Sequence, residues 1–232
     1  MHGYLSSKEA FTAQIRYFSK FYRVTALDFV GFGKSAPLKE PFSVSDYATW
    51  TQEVMTLLGV SKPNIVAHSF GCRVAVKLAS ENPSAFDKML LTGPAGIITN
   101  RGFSYRCKVK LYRFVKRFAP NYAEKKFGSA EYRSLSPIMK ESYKKIVNED
   151  LRECAKRVKN PVLLVVGKSD TTTPLAQAEI YLRAFENASL KQMDGDHFAF
   201  VQNPVAFNLI TEEFFYGCWG PSWLPNCCIF TA

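Results

Sequence analysis

The sequence predicts an α/β fold in which helices flank a mostly parallel sheet, and three observations carry that expectation. Short β-branched or aliphatic runs alternate with longer segments of helical period. Several of the runs are apolar on both faces, as strands covered by helices on both sides must be. Pro63, Pro83, Pro161 and Pro204 all fall at element boundaries.

In chain order, helical period runs through 7–21, a strand pattern follows at 23–28, and a second helix covers 43–58. Strand 64–68 leads into helix 70–80, and a strand at 88–92 comes next. After a long interruption come the strand 161–167, the helix 175–185, the strand 190–193 and a helix at 204–215 that has Pro204 in its first position. At 232 residues the chain has the length of one domain, or of one domain with an insertion. With 47% hydrophobic and 22% charged residues, 13 Gly and 12 Pro, it is neither collagen-like nor disordered.

The interruption, 97–159, contains helical patterns separated by Pro120, Gly128 and Pro137. In it Cys107, Leu111, Phe114, Val115 and Phe118 form an apolar helical stripe with basic residues mostly off that face. Residues 101–159 hold 17 Lys plus Arg against 6 Asp plus Glu, a net of +11, so the insertion accounts for the whole chain's +10. The expected organisation is a core of 1–96 and 160–216, a basic helical insertion at 97–159, and an uncharged apolar tail at 217–232 to which no role is assigned.

The start of the chain has no basic stretch followed by an apolar one, and no run is long enough to span a bilayer, so a cytoplasmic protein is expected. The six cysteines are unevenly spaced, without CxxC or a paired Cys and His. No metal site and no cofactor are expected.

The chemistry centres on Ala67-His68-Ser69-Phe70-Gly71, a small-x-Ser-x-Gly run between a strand and a helix. A sharp strand-to-helix turn needs small neighbours and projects its serine above the sheet, where Ser69 is a candidate nucleophile. A serine needs a base, and there are three histidines. His68 adjoins Ser69 and is badly placed to turn back on it; His2 lies at the start; His197, in a loop after a strand, remains. The imidazole in turn needs a carboxylate acceptor. Asp170, directly after strand 161–167, is the first choice, and Asp194 and Asp196 are the alternatives. The order Ser69, Asp170, His197 fits a Ser-Asp-His series.

Together with His2-Gly3 and the run Asp28 to Ser35, these residues resemble the α/β-hydrolase superfamily over nearly the whole chain. The first elbow glycine of the family is Ala67 here, and a later one is Cys72. The resemblance implies a serine hydrolase with 97–159 as its helical cap, and an oxyanion hole formed by the backbone N–H groups of Tyr4 and Phe70. It also implies strands before His2-Gly3 that this sequence does not contain, so a truncated fragment or a misplaced start is expected, with a gap beside the strand carrying Ser69.

The expected reaction is cleavage of a small-molecule acyl ester through an acyl-enzyme. Carbon–carbon and amide hydrolysis by the same groups are the alternatives. Gly31-Phe32-Gly33-Lys34-Ser35 ends like a phosphate loop, but Asp28 stands where that loop needs glycine, which argues against nucleotide binding. A non-enzymatic rival is peripheral contact of the basic cap with a membrane or a polyanion. No nucleic-acid partner is expected, and the oligomeric state is not legible.

Overall fold

A computed structural model describes residues 1–99 and 130–216 of the protein. Among these residues, β1 (Ile65–His68), β2 (Met89–Thr92), β3 (Val162–Gly167) and β4 (Ala188–Met193) lie side by side in chain order, each pair parallel. Ile65, Met89, Val162 and Ala188 stand in one row. The carboxyl ends of the strands therefore open on a single edge, from which the loops carrying Ser69, Asp170 and His197 emerge.

Alternation along the strands feeds two cores. Met89, Leu91, Val162 and Leu164 pack with residues of α2 (Val44–Leu57), α3 (Phe70–Glu81) and α7 (Leu175–Ala184), including Tyr47, Val74 and Tyr181. Leu90, Leu163 and Val165 point the other way, onto Phe11 beside α1 (Thr12–Phe18), Phe200 of α8 (Ala199–Gln202) and Phe207 of α9 (Pro204–Tyr216). Each such side chain contributes about 1.5–3 kcal/mol on full burial. This is why the runs are apolar on both faces. Ser43 begins α2 with reciprocal bonds to Asp46, satisfying amides that a helix start leaves open.

Two elements differ from the sequence expectation. The segment 23–28 belongs to no strand. A strand needs a backbone partner about 4.8 Å away. Instead, a cavity of about 460 Å³, lined among others by Val24, Leu27, Ile65 and Val66, separates it from β1. On that edge of β1 the partner is Met1, which donates from its amino group to Val66 O at 2.7 Å and accepts from His68 N at 3.0 Å. The second difference is α8, a four-residue helix too short to show a period.

Within 97–159 the described helices are α4 (Ala130–Ser134), α5 (Pro137–Val147) and α6 (Arg152–Ala155). The amphipathic stretch from Cys107 to Phe118 and the tail 217–232 lie outside the described residues. Ser136 caps α5 on the Met139 amide, and the buried Arg73 guanidinium donates to Ile146 O and Glu149 O, both at 2.9 Å, near the helix end. Tyr4 Oη donates to Met139 O, and the Phe42 amide to Ser142 Oγ, so α5 is fastened to the core at three places. Several basic side chains here are already engaged: Lys144 with Glu141, Lys145 with Pro41 O, Lys156 with Glu153 and Lys159 with Glu186.

The Gly31–Ser35 loop is wrapped around an anion that the chain itself supplies. Asp28 accepts from the Lys8 amide at 2.7 Å, the Lys8 ammonium at 3.0 Å and the Lys34 amide at 3.0 Å. A Cβ on Gly33, where φ is +52°, would fall 2.4 Å from Asp28 Cγ. Burial pushes this carboxyl up, but the Lys34 and Lys8 amides and the Lys8 ammonium outweigh burial and hold it at about 2. The Lys34 amide is thus committed to a carboxylate. Replacing Asp28 with Ala is expected to lower unfolding free energy by about 2–3 kcal/mol in urea denaturation, because buried charge-assisted bonds are lost. A Lys8→Met change should cost much less, since the two backbone amides keep their acceptor.

Candidate active site

Ser69 sits between β1 and α3 with φ 49° and ψ −107°, a backbone state that costs a non-glycine residue about 1–3 kcal/mol. The sequence around it permits the turn. A Cβ on Gly71 would lie 2.6 Å from Met1 O, and one on Gly3 would lie 2.9 Å from His68 Nδ1 and 3.5 Å from Ser69 Cβ. Ala67 is fully buried, and Cys72 Sγ donates to Ala67 O at 3.2 Å. Burial raises the Cys72 thiol pKa, so this cysteine is a packed neutral group. Ser69 itself is half-buried, and its Oγ has no hydrogen-bond partner among the described residues.

His197 follows β4, and Asp170 follows β3. Their side chains meet: His197 Nδ1 lies 2.9 Å from Asp170 Oδ2. The rest of the carboxylate is occupied by the amides of Thr172 and Thr173 on Oδ1, each at 2.8 Å, and by Thr173 Oγ1 on Oδ2, also at 2.8 Å. Burial pushes the Asp170 pKa up, but the hydrogen bonds from His197 and Thr173 outweigh it and hold the pKa below the usual carboxylate range. Asp170 therefore faces the imidazole as a fully bonded anion. The other carboxylates point elsewhere, Asp194 to Lys168 at 2.7 Å and Asp196 to the Phe198 amide at 2.7 Å.

Gly93 connects the two halves of the site. The Ser69 amide donates to Thr92 O at 3.1 Å, and a Cβ on the next residue, Gly93, would lie 3.0 Å from His197 Nδ1. Sequence reasoning did not single out Gly93 or Thr173. The Gly-Pro pair after strand 88–92 and the threonines following Asp170 were the available signals. Tyr4 and Phe70, the expected oxyanion donors, are brought into edge-on ring contact at 5.5 Å, with Tyr143 of α5 against Tyr4 at 5.3 Å. None of Ser69, Asp170 or His197 lines the 460 Å³ cavity beside β1. Among the described residues no cluster of three or more metal-ligating side chains occurs, and no helix is long and apolar enough to cross a membrane.

A family model for the alpha/beta hydrolase fold matches residues 1–106, and the parallel sheet with its serine turn continues the same architecture through β4. The chain has the α/β-hydrolase fold. The (E)-2-((N-methylformamido)methylene)succinate hydrolase of Acinetobacter baylyi is 32% identical over 89 residues, which span 38% of this chain and only 34% of that protein. The 3-oxoadipate enol-lactonase 2 of the same organism is 23% identical over 216 residues, 86% of this chain and 80% of that one. Among solved structures, an esterase from Exiguobacterium antarcticum aligns with a TM-score of 0.73 at 21% identity, covering 92% of this chain and 89% of that one. These named relatives are hydrolases.

The remaining histidines of the chain, His2 and His68, are buried and neutral. His2 Nδ1 donates to Gly3 O while its Nε2 accepts from the Phe29 amide, and burial, the largest influence, lowers its pKa to about 4. Burial likewise lowers His68 to about 3. Because both pKa values lie below that of an unfolded histidine, the unfolded chain takes up the protons first as pH falls. Their contribution is complete above pH 6.5 and shrinks below it. Stability is expected to drop between pH 6.5 and 5 by about 1.4 kcal/mol per pH unit for each ring. Urea midpoints across that range check this, and a flat profile would contradict it.

Proposed function

We propose that the protein is a serine hydrolase that cleaves a small-molecule acyl ester through Ser69, His197 and Asp170. The observation that carries this reading is the 2.9 Å contact of His197 Nδ1 with a buried, fully bonded Asp170, on the same sheet edge as a serine held in a strained turn. Asp170 accepts from Nδ1–H, which leaves Nε2 as the basic nitrogen. Ser69 Oγ attacks the acyl carbonyl while its proton passes to His197 Nε2. The carbonyl oxygen becomes an oxyanion facing the Tyr4 and Phe70 amides, a type of contact worth on the order of 3 kcal/mol in barrier height.

Collapse of this intermediate expels the alcohol, which takes the proton from Nε2 and leaves an acyl-Ser69 ester. Water then attacks that ester and returns its proton through His197, so that carboxylic acid and free Ser69 are formed. The enol-lactonase and esterase relatives support an ester-type bond. Tyr4, edge-on to Phe70, and Tyr143, packed against Tyr4, are half-buried and offer an apolar wall suited to the acyl group.

Hydrolysis of a panel of p-nitrophenyl esters of varied chain length is the test. Ser69→Ala is expected to bring turnover to background with an unchanged fold. Asp170→Asn is expected to lower kcat by about 10³- to 10⁴-fold, because the imidazole loses the acceptor that sets its tautomer. Full activity in the Ser69→Ala protein would overturn the assignment. Activity confined to a diketone-type acid or to amides would instead select the carbon–carbon or amide alternative on the same residues.

A further inference from the structure

His68 has no role in the proton transfers above, yet it is 1% exposed and sits in the middle of the site. Its Nε2 lies 2.9 Å from the backbone carbonyl of His197. A carbonyl only accepts, so Nε2 carries the hydrogen and the ring is the neutral Nε2–H tautomer. Nδ1 is then a bare lone pair, and it has no partner among the described residues. The ring is held from all sides. It lies 4.7 Å from the His197 ring, 5.1 Å from Phe198 and 4.8 Å from Phe200, and its Nδ1 edge faces Gly3, where a methyl group would intrude at 2.9 Å.

His68 is joined by a peptide bond to Ser69, and its ring reaches the backbone of His197 on a loop 129 positions away in the chain. We infer that His68 is a positioning residue: a rigid tether that sets the distance between the nucleophile's turn and the backbone carrying the base. On its other edge the same ring touches Gly3, next to Tyr4. One side chain thus spaces three loops of the site: oxyanion, nucleophile and base. The inference rests on the proposed roles of Ser69 and His197. A misplacement of about 1 Å in such a constellation can cost on the order of 10²-fold in rate, which gives the tether its weight.

Burial is the main reason that the ring stays neutral, with positive charge on His197 and the amino group of Met1 acting in the same direction, and the His197 carbonyl and Asp170 opposing. Protonation at Nδ1 would place a charge against Gly3 with nothing to accept it.

The test compares wild type, His68→Phe, which keeps the shape but not the donor, and His68→Gln, whose amide nitrogen reaches a similar place. With a p-nitrophenyl ester, His68→Phe should lower kcat by about 10- to 100-fold with KM within about twofold, and His68→Gln should recover most of that loss. The acid limb of the pH–rate profile should stay where it is, because the tether holds a backbone and does not tune the imidazole. A shifted limb with an unchanged plateau, or a Gln variant as slow as the Phe variant, would overturn the proposal. Nitrogen-15 NMR of wild-type histidines supplies a readout that needs neither a variant nor a substrate. It should show His68 as Nε2–H and neutral down to pH 5, and titration near 6.5 would overturn the tether. If wild type hydrolyses no ester, the ester reading fails, and the NMR result still decides the tether separately.

Discussion

The backbone of Ser69 is held at φ 49° and ψ −107°, and much of the surrounding sequence follows from accommodating that turn. A residue kept in so sparsely populated a region needs neighbours that over-determine it. Here they do so by close approach: Gly71 against the Met1 and His2 carbonyls, Gly3 against the ring of His68, and Gly93, itself at φ +52°, against the ring of His197. None of the three positions has room for a side chain without movement. The strain therefore lies in a compact frame of close contacts, and the serine hydroxyl has no hydrogen-bond partner among the described residues.

The parallel register does the rest of the positioning. Since β1 to β4 end on one edge, Asp170 and His197 are delivered to the same place by strands that pair directly, from Val162↔Ala188 to Gly167↔Met193. Asp170 is then saturated by Thr172, Thr173 and His197, so that the imidazole meets a fixed anion and not a mobile one. The buried Arg73, the half-buried Tyr4 and the Phe42 amide fasten α5 to the core.

Much of this was legible from residue types alone, and the exceptions have physical causes. Strands β1 to β3 were found because apolar residues on both faces announce a doubly covered sheet. The segment 23–28 has the same local character, but strand formation depends on a partner, and a cavity occupies that place. Spacing alone left Asp194 and Asp196 open beside Asp170, since proximity in sequence says nothing about which carboxylate faces a ring; the β3–β4 register decides it. His68 illustrates the limit most clearly. Adjacency to Ser69 excluded it as a base, but its reach to the His197 carbonyl exists only once the sheet has brought two distant loops together.

The charge of the chain also changes meaning when placed on the structure. Residues 101–159 carry the entire excess, yet several of their described cations are spent on neighbours: Lys144, Lys156 and Lys159 on acids, Lys145 on a carbonyl. The catalytic reading rests on the near-neutral core, and its central claim is that Ser69 is the nucleophile. Covalent labelling with a fluorophosphonate, followed by mass spectrometry of the digested protein, tests it most directly. The account predicts one adduct per chain, on the peptide containing Ser69. An adduct on another residue, or none from a folded protein, would contradict it.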